Sequence, residues 1–206
     1  WHLDKVVLSH PHPDHMNALF PVVEELPIDV FLTVRPPTQG EDKYQQLWEK
    51  LIEKKIQIQF PESPQEPGVI IHHPLNGWTT KRRTVNEQSL VLEIQHHSHR
   101  FLFTGDIESA AENHLMGKIG AIDVLKVPHH GSKSSSSKSW IAELQPEFSI
   151  ISCGSANRYG HPHLKTLLAL QESTILRTDE QGVISVLSDG DRLEVRTQRG
   201  LLVGKH

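Results

Sequence analysis

The chain has 206 residues, enough for one domain with a substantial core. A single cysteine, Cys153, excludes an intramolecular disulfide framework and a four-cysteine zinc knuckle. A net charge of −4 builds in no long-range attraction to nucleic acid, and no apolar run approaches the roughly 20 residues that span a bilayer.

The chain opens on Trp1-His2, with neither an initiator methionine nor a signal segment, and reads as a piece of a longer protein. Val6 to Leu8 predicts a short buried strand, followed by a His/Pro loop from Ser9 to Asp14. Asp14 then caps one helix carrying Ala18, Leu19, Val22, Val23 and Leu26, which Pro27 stops. Ile28 to Val34 reads as a strand, Glu41 to Lys55 as an amphipathic helix and Ile56 to Phe60 as a strand. After a proline-rich loop at 61–68, Val69 to His72 is a further strand. Gly77 to Asn86 is a polar, basic connection.

Ser89 to Gln95 and Arg100 to Thr104 predict a hairpin turning at His96 to His99. Next come a helix from Glu108 to Met116, a strand from Ile122 to Val127, a serine run ahead of a helix ending at Leu144, and a strand from Glu147 to Ser152. A helix from Leu164 to Gln171 and a hairpin around Asp189-Gly190 close the chain. Interleaved helices and strands predict a layered α/β (α+β) protein with mixed sheets, and no linker divides residues 1–206.

Fifteen histidines are present, and they bunch. His10-Pro11-His12-Pro13-Asp14-His15 places four metal-ligand types within six residues, directly after a buried strand. Residues two apart in an extended segment point the same way, so His10 and His12 can grip one ion while Asp14 and His15 reach toward a second. Thr104-Gly105-Asp106 puts a carboxylate at a strand end, where its two oxygens can bridge two cations. The strand ending Val127-Pro128-His129-His130-Gly131 offers two more imidazoles which, if extended, face opposite sides. Asn157-Arg158-Tyr159-Gly160-His161-Pro162-His163 forms another strand-to-helix loop on the same expected edge, with His161 and His163 favoured as substrate-facing groups.

H-x-H-x-D-H, then TGD, then a strand ending in His resembles the metallo-β-lactamase superfamily. LSHPHPDH, FLFTGDIE, DVLKVPHHGSKSSSS and NRYGHPH resemble, more narrowly, the C-terminal metallo-β-lactamase domain of the ComEC family of competence DNA-uptake channels. That resemblance implies an αββα sandwich, lacking here its first N-terminal strands and therefore expected to turn over slowly. It implies two divalent ions, Zn²⁺ or Mn²⁺: His10 and His12 on the first, Asp14, His15 and His130 on the second, and Asp106 bridging. Where the superfamily usually has another His on the first ion, this chain reads Val85-Asn86-Glu87-Gln88-Ser89, so Asn86 or water takes that place and oxygen donors favour a harder ion such as Mn²⁺ or Mg²⁺.

The implied activity is a metal-dependent nuclease on single-stranded DNA. Asp14, His129 and His161 are its catalytic candidates. Ser132, Lys133, Arg158 and His163 are candidate substrate contacts, with the basic residues 81–83, Lys126 and Lys138 as further phosphate contacts. The implied partners are DNA and the membrane-channel portion of the same parent chain in the inner membrane. Two other readings are hydrolysis of a different phosphodiester or ester, and a non-catalytic DNA-guiding or assembly module.

Overall fold

A computed structural model describes residues 1–75 and 84–200, and the backbone of the last strand at Leu202–Lys205. The basic cluster at 81–83 lies outside the described residues. The amino-terminal part is a three-stranded parallel sheet, β1 (Leu3–Leu8), β2 (Ile28–Thr33) and β3 (Gln57–Gln59), in that order. Its crossovers carry α1 (Pro13–Met16) and α2 (Leu19–Glu25), then α3 (Asp42–Glu53). Tyr44, Leu47 and Leu51 recur on one face of α3 and are buried with Val6, Leu8, Met16, Val23 and Phe31.

The single helix expected from Asp14 to Leu26 is instead two. Pro21 has no N–H, and its ring crowds the carbonyl four residues back, at Asn17. The chain therefore turns at Asn17-Ala18 and restarts at Leu19, which puts Pro21 in a first helical turn, where no donor is needed.

The second sheet has six strands in the order β4 (Val69–His73), β5 (Val91–His96), β6 (His99–Phe103), β7 (Val124–Lys126), β8 (Phe148–Ile151) and β9 (Thr174–Arg177). β4, β5 and β6 pair antiparallel, and β6 through β9 pair parallel. Because β6, β7 and β8 run the same way, the loops that follow them share one edge. Alternation splits this sheet's two faces. Leu125 joins Leu102, Trp140 and Leu144 beneath α4 (Ser109–Leu115), α5 (Lys138–Leu144) and α6 (Leu164–Ala169). Val124 packs with Phe148, Leu176, Leu193 and Val195 against an antiparallel meander, β10 (Ile184–Ser188), β11 (Leu193–Thr197) and β12 (Leu202–Lys205). A short α7 (Thr178–Gln181) precedes the meander.

Both expected hairpins form, with His96 opposite His99 and Ser188 opposite Leu193. β9 went unforeseen: Thr174–Arg177 is four residues long, and its strand character comes from pairing with β8. The two large sheets meet where the Leu90 N–H donates to the Ser9 carbonyl at 2.8 Å, bringing the His/Pro loop after β1 to the shared edge of the second sheet.

Candidate metal centre

Five loops converge at that edge. After β1, His12 is extended and Pro13 opens α1, so the chain turns between the paired histidines and Asp14-His15. His10 is fully buried, and its ring lies edge-on to that of His12, 4.7 Å between centroids. After β6, Gly105 has φ +51°; a Cβ there would stand 2.7 Å from that of Ser89 and 3.1 Å from that of Ser9, so only glycine passes between the two loops. This delivers Asp106, 2% exposed, with its N–H donating to Ser89 Oγ at 3.0 Å.

Asp106 is the hub. His15 Nε2 lies 3.3 Å from its Oδ1, while His130, His10 and His129 present Nε2 to its Oδ2 at 3.6, 3.8 and 4.0 Å. Asp14 Oδ2 is 3.3 Å from His130 Nε2, and the ligand atoms of Asp14, His15, Asp106 and His130 all lie within 4.8 Å of one another. Burial alone pushes the Asp106 carboxyl up, but the imidazoles of His15, His130 and His10 override it and hold the group well below the usual carboxylate range. Burial, then His15, pulls His10 down to about 3, so its ring is neutral and its nitrogen is available as a ligand.

Orientation is set from behind. His130 Nδ1 donates to the Ser152 carbonyl at 2.7 Å, leaving Nε2 as the lone-pair nitrogen toward Asp106. The expectation that His129 and His130 alternate along an extended strand is corrected: both are left-handed, with φ +50° and +53°, in a tight turn after Val127. The turn is tied down by the His129 N–H on the Gly105 carbonyl (3.2 Å), and Gly131 packs against Pro162, where a Cβ would stand 2.6 Å away. His129 Nδ1 faces Glu108 Oε1 at 3.4 Å, and its Nε2 lies 3.4 Å from Asn86 Nδ2.

Three buried atoms here have no hydrogen-bond partner: His10 Nε2, Asn86 Oδ1 and Asp106 Oδ1. Burying such atoms unpaired is costly, and all three are metal-ligand types, so the donor set fits divalent cations. The open side is a cleft of about 440 Å³, whose wall includes His12, Asp14, Asn86, His129, His130, Asn157, Tyr159 and His161. Burial, then His129, lowers the His161 pKa below the ordinary imidazole value. Burial pushes the Cys153 thiol up to about 11, and its Sγ donates to Asp179 at 3.2 Å, which keeps it protonated.

None of the expected substrate contacts Ser132, Lys133, Arg158 and His163 lines the cleft itself; Arg158 comes nearest, with its guanidinium over the ring of Tyr159, which does. Ser132 is buried with Oγ on Ser134, and the Lys133 carbonyl accepts from Lys165. His163 begins α6, with its ring 5.5 Å from that of His161. Lys126 and Lys138 line other grooves. The serine run is inward: Ser135 and Ser136 are buried, and Glu112 accepts from the N–H groups of Ser136 and Ser137.

Two residues were not read as site or support groups. Glu108 backs His129; the signal was a second acid two positions after Asp106. Buried Glu87 follows Asn86 and caps α4, accepting from the N–H groups of Glu108, Ala110 and Ala111 at 3.3, 3.1 and 2.9 Å. It thereby ties the Asn86 turn to the Asp106 loop.

A histidine-carboxylate cluster able to hold metal, at the loop edge of layered mixed sheets, defines a class, and residues 1–155 match the metallo-β-lactamase superfamily model, so the chain belongs to that superfamily. Among its relatives are competence proteins of the ComEC family. It is 32% identical over 188 residues to ComE operon protein 3 of Bacillus subtilis, covering 88% of this chain and 24% of that protein. It is 28% identical over 207 residues to Recombination protein 2 of Haemophilus influenzae (96% and 24%), and 30% identical over 189 residues to Competence protein ComA of Neisseria gonorrhoeae (88% and 25%). The chain spans about a quarter of the length of these curated relatives. Among the described residues no helix is long and apolar enough to cross a membrane.

Proposed function

We propose that this chain is the metal-dependent phosphodiesterase domain of a competence protein, cutting single-stranded DNA during uptake. We assign His10, His12 and Asp106 to one divalent ion, with Asn86 beside them, and Asp14, His15, Asp106 and His130 to the other. The observation that carries this is the convergence of four imidazoles on the single buried carboxylate of Asp106. Divalent ions held there supply a water acidic enough to ionise near neutral pH and offset charge building on a phosphoryl group; Mn²⁺ suits the oxygen of Asn86 better than Zn²⁺.

The protein's own groups do the rest. His129, braced by Glu108, and its ring neighbour His161 stand on the cleft wall where a leaving oxygen needs a proton or a hydrogen bond. Asp14, with its carboxylate open to the cleft, orients water as well as metal. Arg158 at the rim reaches a flanking phosphate, which makes binding salt-sensitive. We read residues 1–206 as one αββα domain, attached in a longer parent chain to a membrane channel of the inner membrane. The names of the relatives, two of them competence or recombination proteins, support DNA as the substrate.

The test is cleavage of a labelled single-stranded oligonucleotide with Mn²⁺, comparing the chain with its Asp106→Asn variant. Loss of cleavage in the variant is expected. Undiminished cleavage overturns the two-metal assignment, and cleavage of a simple phosphodiester but not of DNA favours a different substrate on the same site.

A further inference from the structure

The chain has only two tyrosines, and they are used oppositely. Tyr44 is 1% exposed, with its hydroxyl donating to the Arg35 carbonyl, and belongs to the core. Tyr159 is 62% exposed, packs into no core cluster and lies on the wall of the metal cleft. Its ring is stacked on His161, 24° from parallel and 5.7 Å between centroids. The His161 ring is in turn 5.8 Å from that of His129, whose Nε2 is 4.0 Å from Asp106. A row of rings thus runs from solvent to the buried carboxylate of Asp106. The Arg158 guanidinium lies over the Tyr159 ring, 5.0 Å from its centroid, and donates to its hydroxyl at 2.9 Å; both residues are exposed, so this cover is a flexible side chain that a ligand can displace.

The loop that carries the platform is tied down by hydrogen bonds on both sides of Tyr159. Asn157 donates from Nδ2 to the carbonyls of Gly154 (2.8 Å) and His161 (2.7 Å) and accepts from the His161 N–H (2.9 Å), while the His163 N–H donates to the Gly131 carbonyl. Ordering was completed on folding, so a ligand need not supply it.

We infer that Tyr159 is a stacking subsite for one unpaired nucleobase of a nucleic-acid strand, the base taking the place of the Arg158 guanidinium over the ring and Arg158 swinging out to the adjoining phosphate; this rests on the phosphodiesterase reading for the identity of the bond at the metals. An aromatic face next to a cation matches the two parts of a nucleotide, the flat base and the charged linkage. In a duplex both faces of a base are covered by its neighbours, so a ring that needs a free face selects single strands.

The test is fluorescence anisotropy of a labelled oligothymidylate, and of the same strand built from abasic units, with Ca²⁺ in place of Mn²⁺ so that the strand persists. The native chain should prefer the strand with bases by about five- to a hundredfold. Tyr159→Ala should lose that preference and Tyr159→Trp keep it. Equal binding of the two strands by the native chain, or a preference that survives Tyr159→Ala, overturns the subsite. Cleavage in Mn²⁺ is scored separately: base preference without cleavage sinks the phosphodiesterase reading and leaves the subsite, and cleavage without base preference does the reverse.

Discussion

Two regions of this molecule are rich in histidine, and only one looks like a metal centre. At the shared loop edge, His10, His15, His129 and His130 surround a buried carboxylate and leave buried ligand atoms without partners. At the tip of the β5–β6 hairpin, His96, His97 and His99 are just as dense in sequence. Yet His96 and His99 share the hydroxyl of Ser188 (3.0 and 2.8 Å), and His97 packs on Gly190. The tip fastens the meander to the large sheet. What separates the two is a carboxylate at the centre and the burial of nitrogens with nothing else to bind.

The sharpest way to break this contrast is Asp106→Asn. Removing the central charge should lower Mn²⁺-dependent cleavage on the order of a thousandfold, and titration calorimetry should show metal uptake reduced. Uptake equal to the unaltered chain would mean that the carboxylate is not the hub.

A third kind of histidine sharpens the comparison through pH. His73 is fully buried, with Nε2 donating to the Glu87 carbonyl at 2.8 Å, and burial lowers its pKa to about 4. The unfolded chain binds this proton below about 6.5 and the folded chain only below about 4. His73 therefore leaves stability intact above pH 6.5 and costs progressively more down to about pH 4, on the order of 3 kcal/mol in total. Denaturant melts between pH 7 and 4 should show the fall, and His73→Gln should make it shallower, leaving the part due to buried His10.

Glu87→Gln removes the charge that caps α4 and should cost about 1.5–3 kcal/mol in chemical denaturation. Because Glu87 joins the Asn86 turn to the helix after Asp106, metal affinity should fall with it. The smallest effect belongs to the hairpin tip. The double change His96→Ala, His99→Ala should cost about 1 kcal/mol and leave Mn²⁺ stoichiometry unchanged; a lost ion would erase the distinction between the two regions.

Ligand types were legible where spacing is local. His10, His12, Asp14 and His15 sit in one proline-limited loop, and the strand before Thr104-Gly105-Asp106 is apolar enough to be recognised. The roles of Glu87 and Glu112 were not legible, because a carboxylate that caps a helix or holds a serine loop looks in sequence like any surface acid. Ser132 was hard to place for the same reason: a serine buried against Ser134 is indistinguishable in sequence from one that faces substrate.

Sequence alone determined the alternating layers, the clustering of His10, His12, Asp14 and His15 in one loop and the carboxylate that follows Gly105, because these depend on periodicity and on neighbours along the chain. Tertiary structure decided that His130 meets His15, 115 residues earlier, at 3.2 Å, that His129 and His130 turn left-handed instead of alternating, and that Asn86 and Tyr159 enter the same cleft. Those outcomes come from parallel strands placing distant loops on one edge, a proximity that no spacing along the chain encodes.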